Sequence, residues 1–195
     1  MYKPRVLYLH FYSPCDLDIS SSKYDITNVN VWSKQFKSII SCKIAYDIIV
    51  LGGGKKGLPV ATEIYKYIPL YTFLNNCKNT PILGICYGMQ ILYHYYYGES
   101  LKKLKKRNTV STKIKTDRRF AVIKNNELNV RFNNQYYCPK LKNNIISYYT
   151  IPNSNPPLKI PAFVKFNKGV YGIQFHFKNR LDRQYLISSI IAEKT

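Results

Sequence analysis

Acidic residues are scarce in this chain: 10 Asp and Glu stand against 30 Lys and Arg in 195 residues, a formal net charge of +20. Cysteine pairs at metal-ligand spacing are missing. The five cysteines (Cys15, Cys42, Cys77, Cys86, Cys138) form no CxxC and fall at irregular intervals, so neither a zinc site nor a disulfide framework is indicated and no metal is expected. No apolar stretch approaches the length of a membrane span. The opening Met1-Tyr2-Lys3-Pro4-Arg5 runs straight into a strand-like segment rather than a secretory leader, so a cytoplasmic protein with reduced thiols is expected. No internal repeat and no linker appears. A single domain over residues 1–195 is expected, long enough to bury a full core without staples.

The excess of positive charge would suit an acidic partner or nucleic acid. The charges are scattered, however, apart from Leu101-Lys102-Lys103-Leu104-Lys105-Lys106-Arg107, and Lys, Asn, Ile and Tyr crowd the chain together as an AT-rich genome would make them. Nucleic-acid binding through a basic surface is therefore read as secondary rather than as the main function.

The stretch around which the chain is organised is Pro81-Ile82-Leu83-Gly84-Ile85-Cys86-Tyr87-Gly88-Met89-Gln90. Ile82 to Ile85 reads as a buried strand, and Met89, Ile91, Leu92 and Tyr95 have helical spacing. Cys86 is thus placed on a sharp strand-to-helix turn, with glycines two positions either side that let the turn close and push the side chain out of the sheet. A sulfur at a helix N-terminus sits in a field that favours the thiolate. The alternative is a buried core cysteine, the commonest fate of a free one.

Val6 to Phe11 reads as the first strand, the polar segment to Asn30 resists assignment, and Val31 to Ile40 has helical spacing. Tyr46 to Leu51 reads as a second buried strand ending in Gly52-Gly53-Gly54-Lys55-Lys56-Gly57, a loop whose bare N–H groups could stabilise an oxyanion or cradle a phosphate. Its spacing is not that of a GxxxxGK[ST] phosphate loop. Thr62 to Asn76 is expected to be helical, with a break at Pro69. The helix after Cys86 should end at Gly98. Thr109–Thr116, Phe120–Ile123, Leu128–Phe132 and Ile145–Thr150 read as short strands. Ala162–Phe166 and Val170–Phe175 form a hairpin about Asn167-Lys168-Gly169, with His176 at its end, and Asp182 to Ile191 is a last helix. Strand–helix alternation implies a mostly parallel sheet with helices on both faces. In such sheets ligands lie at the carboxyl ends of the strands, where the glycine loop, Cys86 and His176 all fall. A cysteine and a histidine together supply a nucleophile and a proton carrier.

Leu83-Gly84-Ile85-Cys86-Tyr87-Gly88-Met89-Gln90 resembles the nucleophile motif of class I glutamine amidotransferases, most closely that of the glutaminase domain of GMP synthetase. Val50-Leu51-Gly52-Gly53-Gly54 resembles the family's oxyanion loop, and Val170-Tyr171-Gly172-Ile173-Gln174-Phe175-His176 its histidine motif. The resemblance implies a flavodoxin-like α/β fold and hydrolysis of L-glutamine to glutamate and ammonia, without a cofactor. By that resemblance Cys86 attacks the amide, His176 shuttles the proton, the N–H groups of Tyr87 and of Gly53 or Gly54 hold the oxyanion, and Gln90 helps to position glutamine. The ammonia would pass to a partner synthetase, since no ATP-using domain follows within these 195 residues. The chain departs from the family in three places. His176-Phe177-Lys178 stands where the family has histidine, proline and an orienting glutamate; Asp182 is the nearest later carboxylate and the candidate substitute acid. Gly54 replaces a proline in the oxyanion loop. The histidine-glycine-aspartate segment of GMP synthetase is unmatched, with Phe132 to Tyr137 in its place. The alternative function is therefore a catalytically impaired or inactive amidotransferase-like protein acting as a binding or regulatory module.

Overall fold

In the computed structural model the described residues are 2–11, 17–41, 45–52, 54, 65–115, 127–139, 141, 145–151, 154 and 156–193. Five short strands form the parallel heart of the structure: β1 (Arg5–His10), β2 (Asp25–Asn30), β3 (Ile48–Leu51), β4 (Ile82–Ile85) and β9 (Val170–Ile173). They lie in the order β2-β1-β3-β4-β9, the flavodoxin arrangement, and β8 (Leu158–Asn167) and β7 (Ile145–Ile151) extend the sheet antiparallel on the β9 side. The expected α/β class and mostly parallel sheet are thus observed.

The apolar runs of β1, β3 and β4 follow from burial on both faces. Successive side chains alternate between two cores. Val6, Tyr8, Ile48, Val50, Leu83 and Ile85 enter one; Leu7, Leu9, Ile49, Leu51 and Ile82 enter the other. The second core is roofed by α1 (Lys34–Ser41), α2 (Ile68–Asn76) and α3 (Tyr87–Tyr97), through residues such as Phe36, Phe73 and Leu92. The first is covered by α4 (Arg180–Ala192), through Leu186, Ile187 and Ile190, and by a separate antiparallel sheet. That sheet has the order β10-β6-β5, from β5 (Lys102–Lys115), β6 (Glu127–Tyr137) and β10 (Phe175–Phe177).

One expectation needs correction, two segments left unassigned gain a structure, and two expectations go untested. Asp25–Asn30, polar and unassigned from sequence, is the edge strand β2, held by parallel pairing with β1 rather than by its own hydrophobicity. Pro69 does not break a helix but sits in the first turn of α2, where its missing N–H costs nothing. The basic run 102–107 is strand β5, its Leu104 buried and its cations outward, with a register shift between Lys103 and Asn108 masking the alternation. The proposed strand Phe120–Ile123 and the greater part of the glycine loop, Gly53 included, lie outside the described residues. None of the helices among the described residues is long and apolar enough to cross a membrane.

Candidate functional site

Strand β4 ends at Ile85 and helix α3 begins at Tyr87, leaving Cys86 as the N-cap with φ +53° and ψ −99°. A positive φ on a residue with a side chain is strained and is held only by its surroundings. Those surroundings are backbone. The Cys86 N–H donates to the Ile173 carbonyl at 2.6 Å, tying the elbow to the end of β9, and the Cys86 carbonyl accepts from the Gln90 N–H at 3.3 Å. Gly84 and Gly88 are required by close approach. A Cβ on Gly84 would lie 2.6 Å from the Gly88 carbonyl, and one on Gly88 would lie 2.2 Å from the Leu51 oxygen.

The sulfur is buried, only 8% of Cys86 being exposed. Burial pushes the thiol up to about 11, against the opposing pull of the Tyr87 backbone N–H, the Gln174 side chain and the positive field of Arg107. Desolvation therefore outweighs the helix N-terminus, whose field alone would favour the thiolate.

The remaining expected residues fall as follows. Tyr87 presents its N–H to the sulfur, while its ring enters the opposite core, packs edge-on against Phe11 at 5.0 Å and shares a hydroxyl hydrogen bond with Tyr67. Gly54 is half-buried beyond β3, and Gly52 lies against the Tyr8 ring, its N–H donating to the Leu9 carbonyl at 2.7 Å. Gln90 is buried; its Nε2 donates to the Tyr136 carbonyl at 3.2 Å and to Gln174 Oε1 at 3.4 Å, and its Oε1 has no hydrogen-bond partner among the described residues.

His176 does not end a strand of the main sheet. The chain leaves that sheet at Gln174, and His176 lies in the middle of β10, in register with Arg131 of β6. It is half-buried, and burial together with Arg183 and Arg131 holds its imidazole below the ordinary histidine range. Arg183 is fixed in this corner by Asp18 Oδ2 at 2.9 Å and by the Leu17 and Phe177 carbonyls. Lys178 is exposed and continues the ladder through its N–H, bonded to the Asn129 carbonyl at 3.3 Å. Asp182 occupies the first turn of α4. Among the described residues no hydrogen bond joins Cys86 to His176, and no carboxylate, Asp182 included, is paired with the imidazole. Nor do three or more His, Cys, Asp and Glu side chains gather there in a way that could hold a metal.

Among the described residues, two that the sequence did not single out act on the sulfur: Gln174 by a hydrogen bond and the exposed Arg107 by its charge alone. Gln174 carried a legible signal, a polar residue inside the apolar run Val170–Phe175. Arg107 carried none beyond its charge.

The family model "Glutamine amidotransferase class-I" matches residues 19–184. A GMP synthase (glutamine-hydrolyzing) from Wolbachia sp. subsp. Brugia malayi is 32% identical over 123 residues, covering 55% of this chain and 22% of the relative. A second, from Wolbachia pipientis wMel, is 27% identical over 166 residues, covering 77% and 30%. The chain thus corresponds to well under half the length of these relatives. Among solved structures, a GMP synthase subunit from Thermoplasma acidophilum superposes with a TM-score of 0.73 at 16% identity, covering 100% of this chain and 96% of that one. The glutaminase domain of Trypanosoma brucei CTPS, with bound acivicin, gives a TM-score of 0.62 at 13% identity, covering 99% and 95%. At such identities the likeness to solved structures speaks for the fold.

Proposed function

The chain belongs to the class I glutamine amidotransferase family, and on that premise we propose that it hydrolyses L-glutamine to glutamate and ammonia for a GMP synthetase-like synthetase. The observation that supports this most is the strained Cys86 elbow, a cost of about 1–3 kcal/mol for such a backbone that packing alone has no use for. In this reading Cys86 loses its proton to His176 and its sulfur attacks the side-chain amide carbon of glutamine. The N–H groups of Tyr87 and of Gly53 or Gly54 hold the oxyanion. The imidazolium returns the proton to the leaving nitrogen, ammonia departs, and a glutamyl thioester remains. Water, deprotonated by the same imidazole, hydrolyses the thioester to glutamate and frees the thiol. Gln90 stands one helical turn from the sulfur and orients the substrate. Asp182 would serve as orienting acid only by closing on His176. The whole of residues 1–195 acts as one glutaminase unit, and the ammonia is consumed by a synthetase partner. The test is ammonia release by wild type against Cys86→Ala; equal release from both would sink the reading.

The second reading, a binding or regulatory module that no longer turns glutamine over, draws on the cations about His176. Arg131 and Arg183 both disfavour the imidazolium that the reaction needs, and the thiol is held neutral by burial. A glutamine-like electrophile separates the two readings, because it labels Cys86 only if the nucleophile still functions.

A further inference from the structure

We infer that Gln174 is a positioning residue whose side-chain amide holds the Cys86 sulfur as a hydrogen-bond acceptor, and that the Tyr136 carbonyl on β6 fixes the direction in which that amide faces. Gln174 is completely buried at the point where the chain leaves β9 for β10, and its backbone N–H is pinned to the Ala162 carbonyl at 2.8 Å. Its Nε2 lies 3.7 Å from Cys86 Sγ, within hydrogen-bond range for sulfur.

The orientation follows from a chain of amides. A backbone carbonyl can only accept, so Gln90 must turn its NH2 group toward Tyr136, 3.2 Å away. The same NH2 group lies 3.4 Å from the Gln174 side chain, which must therefore present its oxygen. With its oxygen committed, Gln174 has only its NH2 group left for the sulfur. Reversing it would set NH2 against NH2 at Gln90 and a carbonyl oxygen against sulfur. The Tyr136 carbonyl is itself held by Asn134 Nδ2 at 3.1 Å, and Asn134 Oδ1 accepts from Asn108 Nδ2 at 3.2 Å. Asn108, Asn134, Gln90 and Gln174 are all buried, so water does not compete for these bonds. A donor aimed at sulfur favours the charged form over the neutral one, opposing the desolvation that keeps Cys86 protonated. The inference rests on the proposed function only for what the sulfur attacks; the state of the thiol is measurable without turnover.

The experiment is the rate of Cys86 carbamidomethylation by iodoacetamide at pH 8, followed by peptide mass mapping so that the other cysteines do not contribute. Wild type is compared with Gln174→Met, which keeps the volume and removes the donor, and with Gln90→Met, which leaves Gln174 in place but frees it to rotate. Because only the thiolate reacts, each unit by which the thiol rises slows the reaction about tenfold at that pH. Gln174→Met is expected to react about tenfold more slowly than wild type, and Gln90→Met to fall between them. Unchanged rates in both variants, with wild-type circular dichroism, would overturn the inference. Should Gln174→Met fail to fold, the Gln90→Met rate decides alone. Ammonia release is read in parallel. A slowed alkylation with no ammonia from wild type keeps this inference and removes the proposed reaction; ammonia release lost in the variants with alkylation unchanged does the reverse.

Discussion

Adding one methyl group to Gly88 tests whether the elbow is built by backbone contact. The new Cβ would lie 2.2 Å from the Leu51 oxygen, 2.7 Å from its carbonyl carbon and 2.8 Å from its Cβ. A carbon normally stands about 3.3 Å or more from a carbonyl oxygen, so the parts must separate by about 1 Å. Leu51 is fully buried, and its strand is paired on one side with β1 and on the other with β4. Neither it nor the start of α3 yields easily. Overpacking costs about 1–3 kcal/mol in general, and with rigid backbone on both sides Gly88→Ala belongs at the top of that range or beyond it. The better helix propensity of alanine returns at most about 1 kcal/mol. The net loss of about 2 kcal/mol or more lowers Tm by about 4–8 °C for a chain of this size. Gly98→Ala is the control. Gly98 caps α3 at φ +64° with nothing within 4 Å of the added methyl, so only the left-handed backbone is strained, at about 1 kcal/mol. Differential scanning fluorimetry of the two variants decides. A Tm loss for Gly88→Ala no larger than that for Gly98→Ala would refute the close-approach argument.

Three further outcomes are expected. Asn179→Ala removes the N-cap oxygen that accepts from the Leu181 N–H at 2.8 Å, so it should cost about 1 kcal/mol and lower Tm by a few degrees; an unchanged Tm contradicts the cap. His176, held below its ordinary value by burial, Arg183 and Arg131, contributes stability that is complete above the unfolded value near about 6.5 and is lost as pH falls through its lower folded value. Tm measured from neutral pH downward should therefore drop less steeply in His176→Gln than in wild type, with His94 titrating in both; identical slopes would remove the cation argument. Lys178→Glu puts a carboxylate two residues beyond the imidazole and should raise ammonia release by about tenfold or more if the missing acid limits the rate; no increase would show that the limit lies elsewhere.

The part of this structure that was legible in sequence is the part fixed by local chemistry. Ile82–Ile85 is apolar without interruption because it is buried on both faces. Gly84 and Gly88 bracket Cys86 because backbones touch there, and Gly98 stops α3 because its φ is positive. What was illegible is set by partners distant in sequence. β2 has only Val29 fully inside and is a strand because β1 lies beside it. Phe175-His176-Phe177 continues an apolar run, and nothing local reveals that it leaves the main sheet to pair with β6. For the same reason the site was half read. Cys86 is placed by its own turn, but the charges acting on His176 are those of Arg131 and Arg183, contributed by β6 and α4, and among the described residues the side chain hydrogen-bonded to the sulfur is an amide rather than the imidazole.

These neighbours set the energetic problem that any activity here must solve. The thiol stands at about 11, and the imidazole lies below its ordinary value. Moving the proton from sulfur to imidazole is therefore uphill before any bond to carbon forms, because burial disfavours the charge on each atom and the two guanidinium groups disfavour it on the ring. Both shifts act in the same direction, against a resting thiolate–imidazolium pair and toward the neutral groups. The gap narrows only through changes that favour charge on both atoms: a donor held against the sulfur, or negative charge brought beside an imidazole flanked by Arg131 and Arg183. Gln174 already supplies the first, by an amide whose direction is set on β6. For the second, the nearby carboxylate of Asp18 is engaged with Arg183, leaving the histidine without one among the described residues.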